Sequence, residues 1–310
     1  MAFSKLSLLV LLSSWSTIVL AKAGAHKRIR DLIKSNSPLL QYPTQFTQDL
    51  VPKRIHSHND YWREVPLLTV LSYGVGSVEA DVWLFGGAGD LLIGHDPESL
   101  TADRTFGSLY VQPLLEILKP QNPGYDLYKG SPPTGIFDTS SGASLNLLVY
   151  VKTDGASALP VILKALKPLR DAGYLTTYYS NGTLVRSAIT VIGTGNSPLD
   201  LVRALDPRDY FFDGPLANLS RGDIFKPTLS PIASTGYAVA VGWNGLGTIP
   251  DNQLTKLRKL IDDAHALGVQ ARFWDTPGWP VSARNNVWMV LLENGADWLN
   301  ADDVEAASEF

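Results

Sequence analysis

The chain has 310 residues, 30 acidic and 26 basic, for a formal charge of −4, and it contains no cysteine. A net-negative chain does not track nucleic acid or cling to anionic lipid by bulk charge. The missing cysteine excludes a disulfide scaffold, a thiolate zinc site and a cysteine nucleophile, while 45% apolar and 18% charged residues are the usage of a globular protein with a core.

Residues 1–25 read as a secretory signal. Lys5 supplies the positive start, an apolar run covers 6–20, and small residues at Ala21, Ala23 and Ala25 offer cleavage after 21, 23 or 25. A membrane anchor is the alternative, but the run is short and is broken by Ser13, Ser14, Ser16 and Thr17. Without this segment, which holds Lys5 and Lys22 and no acid, 30 acidic residues face 24 basic ones, a charge of −6. The sequons at Asn181 and Asn218 fit passage through a secretory pathway as glycosylation sites. The expected location is extracellular, with the secretory pathway or vacuole as alternatives and no stable membrane anchor after cleavage.

Residues 26–52, basic at first and then polar with prolines, read as an N-terminal linker. From there strand-like and helix-like segments alternate. Strands are expected at 54–58, 77–83, 146–151, 188–192, 210–212, 238–242, 270–274 and 297–299. Glycines and Asp90 in 84–92 suggest a hairpin after the second strand. Clear helical periodicity marks 157–172, closed by Gly173, and 251–267, closed by Gly268; weaker stretches lie at 66–73, 108–118, 198–205 and 282–294. Strand–helix alternation means parallel strands with right-handed crossovers. Eight units in about 250 residues fit a single-domain α/β fold, a (β/α)8 TIM-type barrel over 53–305, with a doubly wound open sheet as the alternative.

Functional residues of such a barrel sit at the carboxyl ends of its strands, so polar residues inside apolar strands are the signal. Because side chains alternate faces, His56 shares a face with His58, Glu79 with Asp81, and Tyr150 with Lys152. Two carboxylates two residues apart make half of a hard-cation site for Mg²⁺ or Ca²⁺. His58 and His95 can act as an acid–base pair near neutral pH, and Lys152 adds a fixed cation. Together they describe a site for an anionic substrate whose transition state gains charge on oxygen, which points to phosphodiester cleavage.

Taken singly, each element has a structural explanation. A Glu-x-Asp pair is often an ion-pair feature, and His56 reads as a hydrogen-bonded core residue below the site. His265 reads as a cation at a helix C-terminus. Trp83, Trp274 and Trp298 read as core, whereas Trp62 and Trp279 lie among loop residues and could line a substrate mouth. Paired glycosidase carboxylates are disfavoured, since Glu79 and Asp81 share one strand and cannot flank a sugar bond from two sides.

The runs His56-Ser57-His58-Asn59-Asp60-Tyr61-Trp62-Arg63, Glu79-Ala80-Asp81-Val82-Trp83, Gly94-His95-Asp96 and Lys152-Thr153-Asp154-Gly155 resemble the PLC-like phosphodiesterases, which include glycerophosphodiester phosphodiesterases and sphingomyelinase D. Within that superfamily the chain is most similar to the fungal altered inheritance of mitochondria protein 6 family, with further matches at 272–275 and 295–298. The resemblance implies a TIM-type barrel with one divalent cation on Glu79 and Asp81, His58 and His95 as acid and base, and Lys152 near the phosphate. It also implies a phosphodiester or phospholipid-derived substrate, attacked in related enzymes by its own neighbouring hydroxyl.

One position departs from the pattern. Where related sequences place a third acidic ligand, two residues before the lysine, this chain has Tyr150. A neutral phenol cannot replace a carboxylate's charge, so cation affinity is expected to fall unless Asp154, on the same face, or a water substitutes. Two functions therefore follow. One is a metal-dependent phosphoric diester hydrolase acting on glycerophosphodiesters or lysophospholipid-type substrates. The other is a catalytically impaired barrel that binds a phosphorylated or lipid ligand.

Overall fold

Alternation of side chains along buried parallel strands sets the layers of this protein. The structure, a computed structural model, describes residues 25–37, 47–85, 89–124, 132–221 and 224–310; the signal segment up to residue 24 and the tip of the expected hairpin at 86–88 lie outside them. The strands are β1 (Lys53–Ser57), β2 (Val75–Trp83), β3 (Leu92–Ile93), β4 (Leu145–Val151), β5 (Thr177–Tyr178), β6 (Leu184–Val185), β7 (Ile189–Gly195), β8 (Phe211–Phe212), β9 (Gly214–Pro215), β10 (Ile232–Gly236), β11 (Gln270–Trp274) and β12 (Leu299–Ala301).

One sheet runs β12-β1-β2-β4-β7-β8 and another β11-β10-β9, with parallel pairing throughout both paths. The two sheets meet twice. Only Asp213 separates β8 from β9, and a parallel bridge joins Arg272 in β11 to Trp298 just before β12. The order thus returns to its start with eight parallel staves, counting β8 and β9 as one, and this is the (β/α)8 arrangement. Antiparallel pairing of β3 with β2, Val82 opposite Ile93, supplies the expected hairpin.

Register then decides which residues face inward. Glu79 pairs with Leu148, which pairs with Ile192, itself opposite Phe211. Leu148, Ile192, Phe211, Ile232 and Trp298 form an apolar cluster of their own, the barrel interior. The intervening residues Val78, Ala80, Val82, Leu147, Val149 and Val151 belong to a larger cluster shared with Leu114, Ile117, Leu159 and Ile162 of the surrounding helices. Burying each such side chain contributes about 1.5–3 kcal/mol, so a one-residue slip of β2 would forfeit both layers. Glu79 and Asp81 are therefore fixed on the inner face by the apolar residues between them.

Several boundaries move. The sixth strand, expected at 238–242, is β10, and the Ala238-Val239-Ala240 run forms a single helical turn, Tyr237–Ala240. So short an apolar run does not distinguish helix from strand; β10 is set instead by its register with β11, Ile232 opposite Gln270. The helix expected over 157–172 is two, Gly155–Ala165 and Lys167–Asp171, the second with Pro168 in its first turn. The last strand lies two residues later than expected, and a helix at Val304–Glu309 carries the folded chain past 305. Inside the segment read as a linker, Ala25–Lys34 is helical and buries Ile29. Among the described residues no helix is long and apolar enough to cross a membrane.

Candidate active site

The carboxyl ends of β1, β2, β4, β7 and β11 surround a cavity of about 440 Å³ whose walls include His58, Glu79, Asp81, His95, Tyr150 and Lys152. Asn59, Thr194, Gly195, Arg272, Trp274 and Asp275 complete it. Of the residues singled out from sequence, both histidines, both β2 carboxylates and the lysine are thus brought together.

The first corner is built by a sharp turn after β1. Asn59 takes a left-handed conformation (φ 50°), which suits asparagine and aims its backbone N–H at Glu79 Oε2, 3.0 Å away. Buried Asp60 anchors the turn, accepting from the Ser57 hydroxyl (2.9 Å), the Leu67 amide (2.8 Å) and the Tyr110 hydroxyl (3.1 Å). Burial lifts its pKa to about 6 despite these donors.

His58 Nδ1 lies 2.8 Å from Asp302 Oδ1, and its Nε2 lies 3.8 Å from Glu79 Oε2. Burial disfavours the imidazolium, but the Asp302 contact and the charge of Glu79 outweigh it and raise the His58 pKa. His95 stands across the cavity, half exposed, its Nδ1 3.3 Å from the Tyr61 hydroxyl and 3.9 Å from Asp81 Oδ2. The exposed ring of Trp62 packs against it, centroids 5.2 Å apart.

Between the histidines lie the β2 carboxylates. Asp81 Oδ2 receives the Tyr61 hydroxyl and the Lys152 ammonium, each at 2.8 Å, while Oδ1 is buried without a hydrogen bond. Burial and the neighbouring Glu79 push the Asp81 pKa up. Burial acts on Glu79 in the same direction, but His56 and the Arg272 guanidinium hold that carboxyl well below the usual range. Tyr150 sits in register with Asp81, and the Lys152 ammonium lies 4.1 Å from its ring centroid. Gly195 (φ 64°) makes room for the ring, since a Cβ there would fall 2.5 Å from Tyr150 Cε1.

Arg272 is the element that sequence reasoning missed as a site residue. It is a buried cation inside the barrel, 3.8 Å from Glu79 Oε1 and 3.9 Å from Asp213 Oδ2. Asn300 Oδ1 (3.1 Å) and Ser234 Oγ (3.2 Å) hold it in place. Asp213 keeps one oxygen buried without a hydrogen bond, and burial raises its pKa to about 6 against the pull of Arg272. The signal available in the sequence was an arginine in the middle of the apolar strand Gln270–Trp274.

Other expectations resolve differently. Asp154 does not line the cavity. Its carboxylate accepts the Ser157 amide at 2.8 Å and caps the helix Gly155–Ala165, a role its place just after β4 dictates. His56 lies beneath the site, fully buried, its Nδ1 2.7 Å from Ser77 Oγ; burial and Arg272 drop its pKa to about 3, so it stays neutral. Trp274, expected as core, is exposed and lines the cavity. Trp279 lines a separate, smaller cavity with Arg284 and Asp302. His265 ends its helix and pairs with Asp297 at 2.8 Å. Both sequon residues, Asn181 and Asn218, are exposed.

The donor set can be tested against a divalent cation. No three His, Asp or Glu side chains among the described residues form a metal-holding group. However, Asp81 Oδ1 is orphaned and buried, and Glu79 Oε1 lies 3.8 Å from the Arg272 guanidinium, beyond hydrogen-bond reach. Two hard carboxylate oxygens of this kind fit a cation that completes its shell with water and phosphate, as Mg²⁺ commonly does.

Known proteins share this chain's sequence across most of its length. A family model described as AIM6-like phosphodiesterase domain matches residues 44–213, which hold His58, Glu79, Asp81, His95 and Lys152. The altered inheritance of mitochondria protein 6 homolog of Arthroderma benhamiae is 45% identical over 283 residues, covering 88% of each chain. The Eremothecium gossypii protein of that name is 38% identical, covering 86% of this chain and 72% of the other. A solved glycerophosphodiester phosphodiesterase from Parabacteroides distasonis has a TM-score of 0.49 at 12% identity, over 84% of this chain and 98% of its own. With its phosphodiesterase-type fold, the chain belongs to the AIM6-like phosphodiesterase domain family, that of altered inheritance of mitochondria protein 6.

Proposed function

We propose that this protein is a secreted phosphoric diester hydrolase whose acid–base pair is His58 and His95. Glycerophosphodiesters or lysophospholipid-type molecules are its substrates, and Asn181 and Asn218 carry its glycans. The observation that carries the reading is one cavity with an imidazole on either side of buried carboxylates and two fixed cations, Lys152 and Arg272.

Lys152 and Arg272 take the phosphoryl oxygens, supplying charge that is in place before the reaction begins. His95 accepts the proton of the attacking hydroxyl, from water or from the substrate itself, as that oxygen bonds to phosphorus. His58, whose charged form is favoured by Asp302 and Glu79, gives a proton to the leaving alcohol oxygen as its bond to phosphorus breaks. Asp302 fixes the His58 ring so that Nε2 faces the cavity. Glu79 and Asp81 would hold a divalent cation, Mg²⁺ or Ca²⁺, which when bound polarises a phosphoryl oxygen.

Tyr150 favours a second reading, a barrel that binds a phosphorylated or lipid ligand without turning it over. A panel of phosphodiesters followed by phosphorus NMR, with EDTA and added-metal arms, separates the two. Hydrolysis of a glycerophosphodiester or lysophospholipid supports the first reading. Thermal stabilisation by the same compounds with no product in any arm supports the second.

A further inference from the structure

We infer that Tyr150 and Lys152 make the cation and the phosphate of this site bind as a pair, each poorly without the other. The inference rests on the reading of the cavity as a phosphodiester site and concerns how that site is filled. Its groundwork is the charge balance around the buried part of the cavity. Of the carboxylates, lysines and arginines in its wall that are largely out of water, Glu79 and Asp81 supply two negative groups and Lys152 and Arg272 two positive ones. Asp213, outside the lining, is a third buried carboxylate, 3.9 Å from Arg272. Asp275 joins them only at the exposed rim.

Each carboxylate already faces a cation of the protein: Asp81 has the ammonium at 2.8 Å, and Glu79 has the guanidinium at 3.8 Å. A divalent cation arriving alone would add charge beside two fixed cations, where low polarisability makes repulsion strong. The residue that could offset it stands in register with Asp81, and it is the neutral Tyr150. Its ring is held by Gly195 on one side and lies against the Lys152 ammonium; among the described residues the cavity wall has no further buried Asp or Glu, and Asp154 is spent on a helix cap.

An anion arriving alone meets the converse difficulty, because Lys152 and Arg272 are already engaged by Asp81 and Glu79. Together the two ligands resolve both. The phosphate would draw on Lys152 and Arg272, releasing Asp81 and Glu79 to hold the cation through the unpartnered Asp81 Oδ1 and the Glu79 Oε1 that Arg272 now faces. Thermodynamic linkage then requires each to raise the other's affinity by one common factor.

Isothermal titration of the intact protein tests this with MgCl2 and inorganic phosphate as probes, after correction for their association in free solution. The expected result is that saturating phosphate raises Mg²⁺ affinity on the order of tenfold or more, and that Mg²⁺ raises phosphate affinity by the same factor. Glu79→Gln should bring that factor to one, and Tyr150→Asp should bind Mg²⁺ without phosphate. Wild-type Mg²⁺ binding that is saturable and unaltered by phosphate overturns the inference, as does phosphate binding that is equal in EDTA and in Mg²⁺. The wild-type factor decides even if Tyr150→Asp fails to fold. A factor of one beside measured phosphodiester turnover overturns this inference alone; a factor of ten with no turnover of any diester overturns the hydrolase reading alone.

Discussion

Asp302 Oδ1 holds His58 Nδ1 at 2.8 Å and turns the other ring nitrogen toward Glu79, so one contact sets both the orientation and the charge of the imidazole. His58 has a folded-state pKa raised above the ordinary 6.5. The stability it contributes is therefore fully present below pH 6.5 and is lost as pH rises through the folded pKa. Asp302→Asn removes the main force opposing burial, so the His58 pKa should fall. Denaturant unfolding should show the variant destabilised more at pH 6 than at pH 8. Equal losses at the two pH values would mean that Asp302 does not favour the imidazolium.

Arg272 is expected to matter for folding as well as for ligand binding. Arg272→Leu would leave Glu79 and Asp213 without their buried cation, and breaking a buried charge arrangement costs about 3–5 kcal/mol. Part of this loss should be relieved by acid, because Asp213, with a pKa near 6 through burial, can take up a proton. Urea unfolding at pH 5 and pH 8 checks this: the penalty should be smaller at pH 5.

Gly195 supports the Tyr150 ring from below. Gly195→Ala meets two obstacles, a left-handed φ of 64° and a Cβ 2.5 Å from Tyr150 Cε1. The backbone conformation alone costs about 1 kcal/mol, and the contact forces the ring or β7 to shift. A drop in Tm together with weaker phosphate binding is expected, whereas a loss no larger than the backbone cost, with phosphate binding unchanged, would show that the ring moves freely.

Lys152→Met is a sharper probe of the anion site. The side chain is similar in length but uncharged, and it leaves Asp81 with only the Tyr61 hydroxyl. Inorganic phosphate binding in saturating Mg²⁺, read by titration, should fall by at least tenfold, the effect of losing one charge-assisted hydrogen bond of about 1.5–3 kcal/mol. Retained affinity would assign the anion to Arg272 alone.

Much of this site could be read from period-two patterning. Glu79 and Asp81 interrupt an apolar strand on one face, and because Val78, Ala80 and Val82 had to pack against helices, the acids had to point inward. His58, His95 and Lys152 followed from the same logic at strand ends. What escaped the sequence was set by long-range geometry. Arg272 enters the site through the register of β10 with β11, and Asp302 meets His58 across 244 residues of chain. Asp154 shows the reverse error: strand alternation put it on the face of Tyr150 and Lys152 and so suggested a ligand, but the start of the next helix claimed its carboxylate. The sixth strand was misplaced because the small-residue strand Ile232–Gly236 carries little β signal beside the Ala238-Val239-Ala240 run.

The most direct test of the central claim is turnover by His58→Ala and His95→Ala beside the wild type, read by phosphorus NMR on a glycerophosphodiester and a lysophospholipid in Mg²⁺. Circular dichroism serves as the check on folding. The account predicts product from the wild type and, with the fold retained, losses of at least a hundredfold in each variant, the scale of general acid–base catalysis. Wild-type turnover that survives in both variants would contradict it.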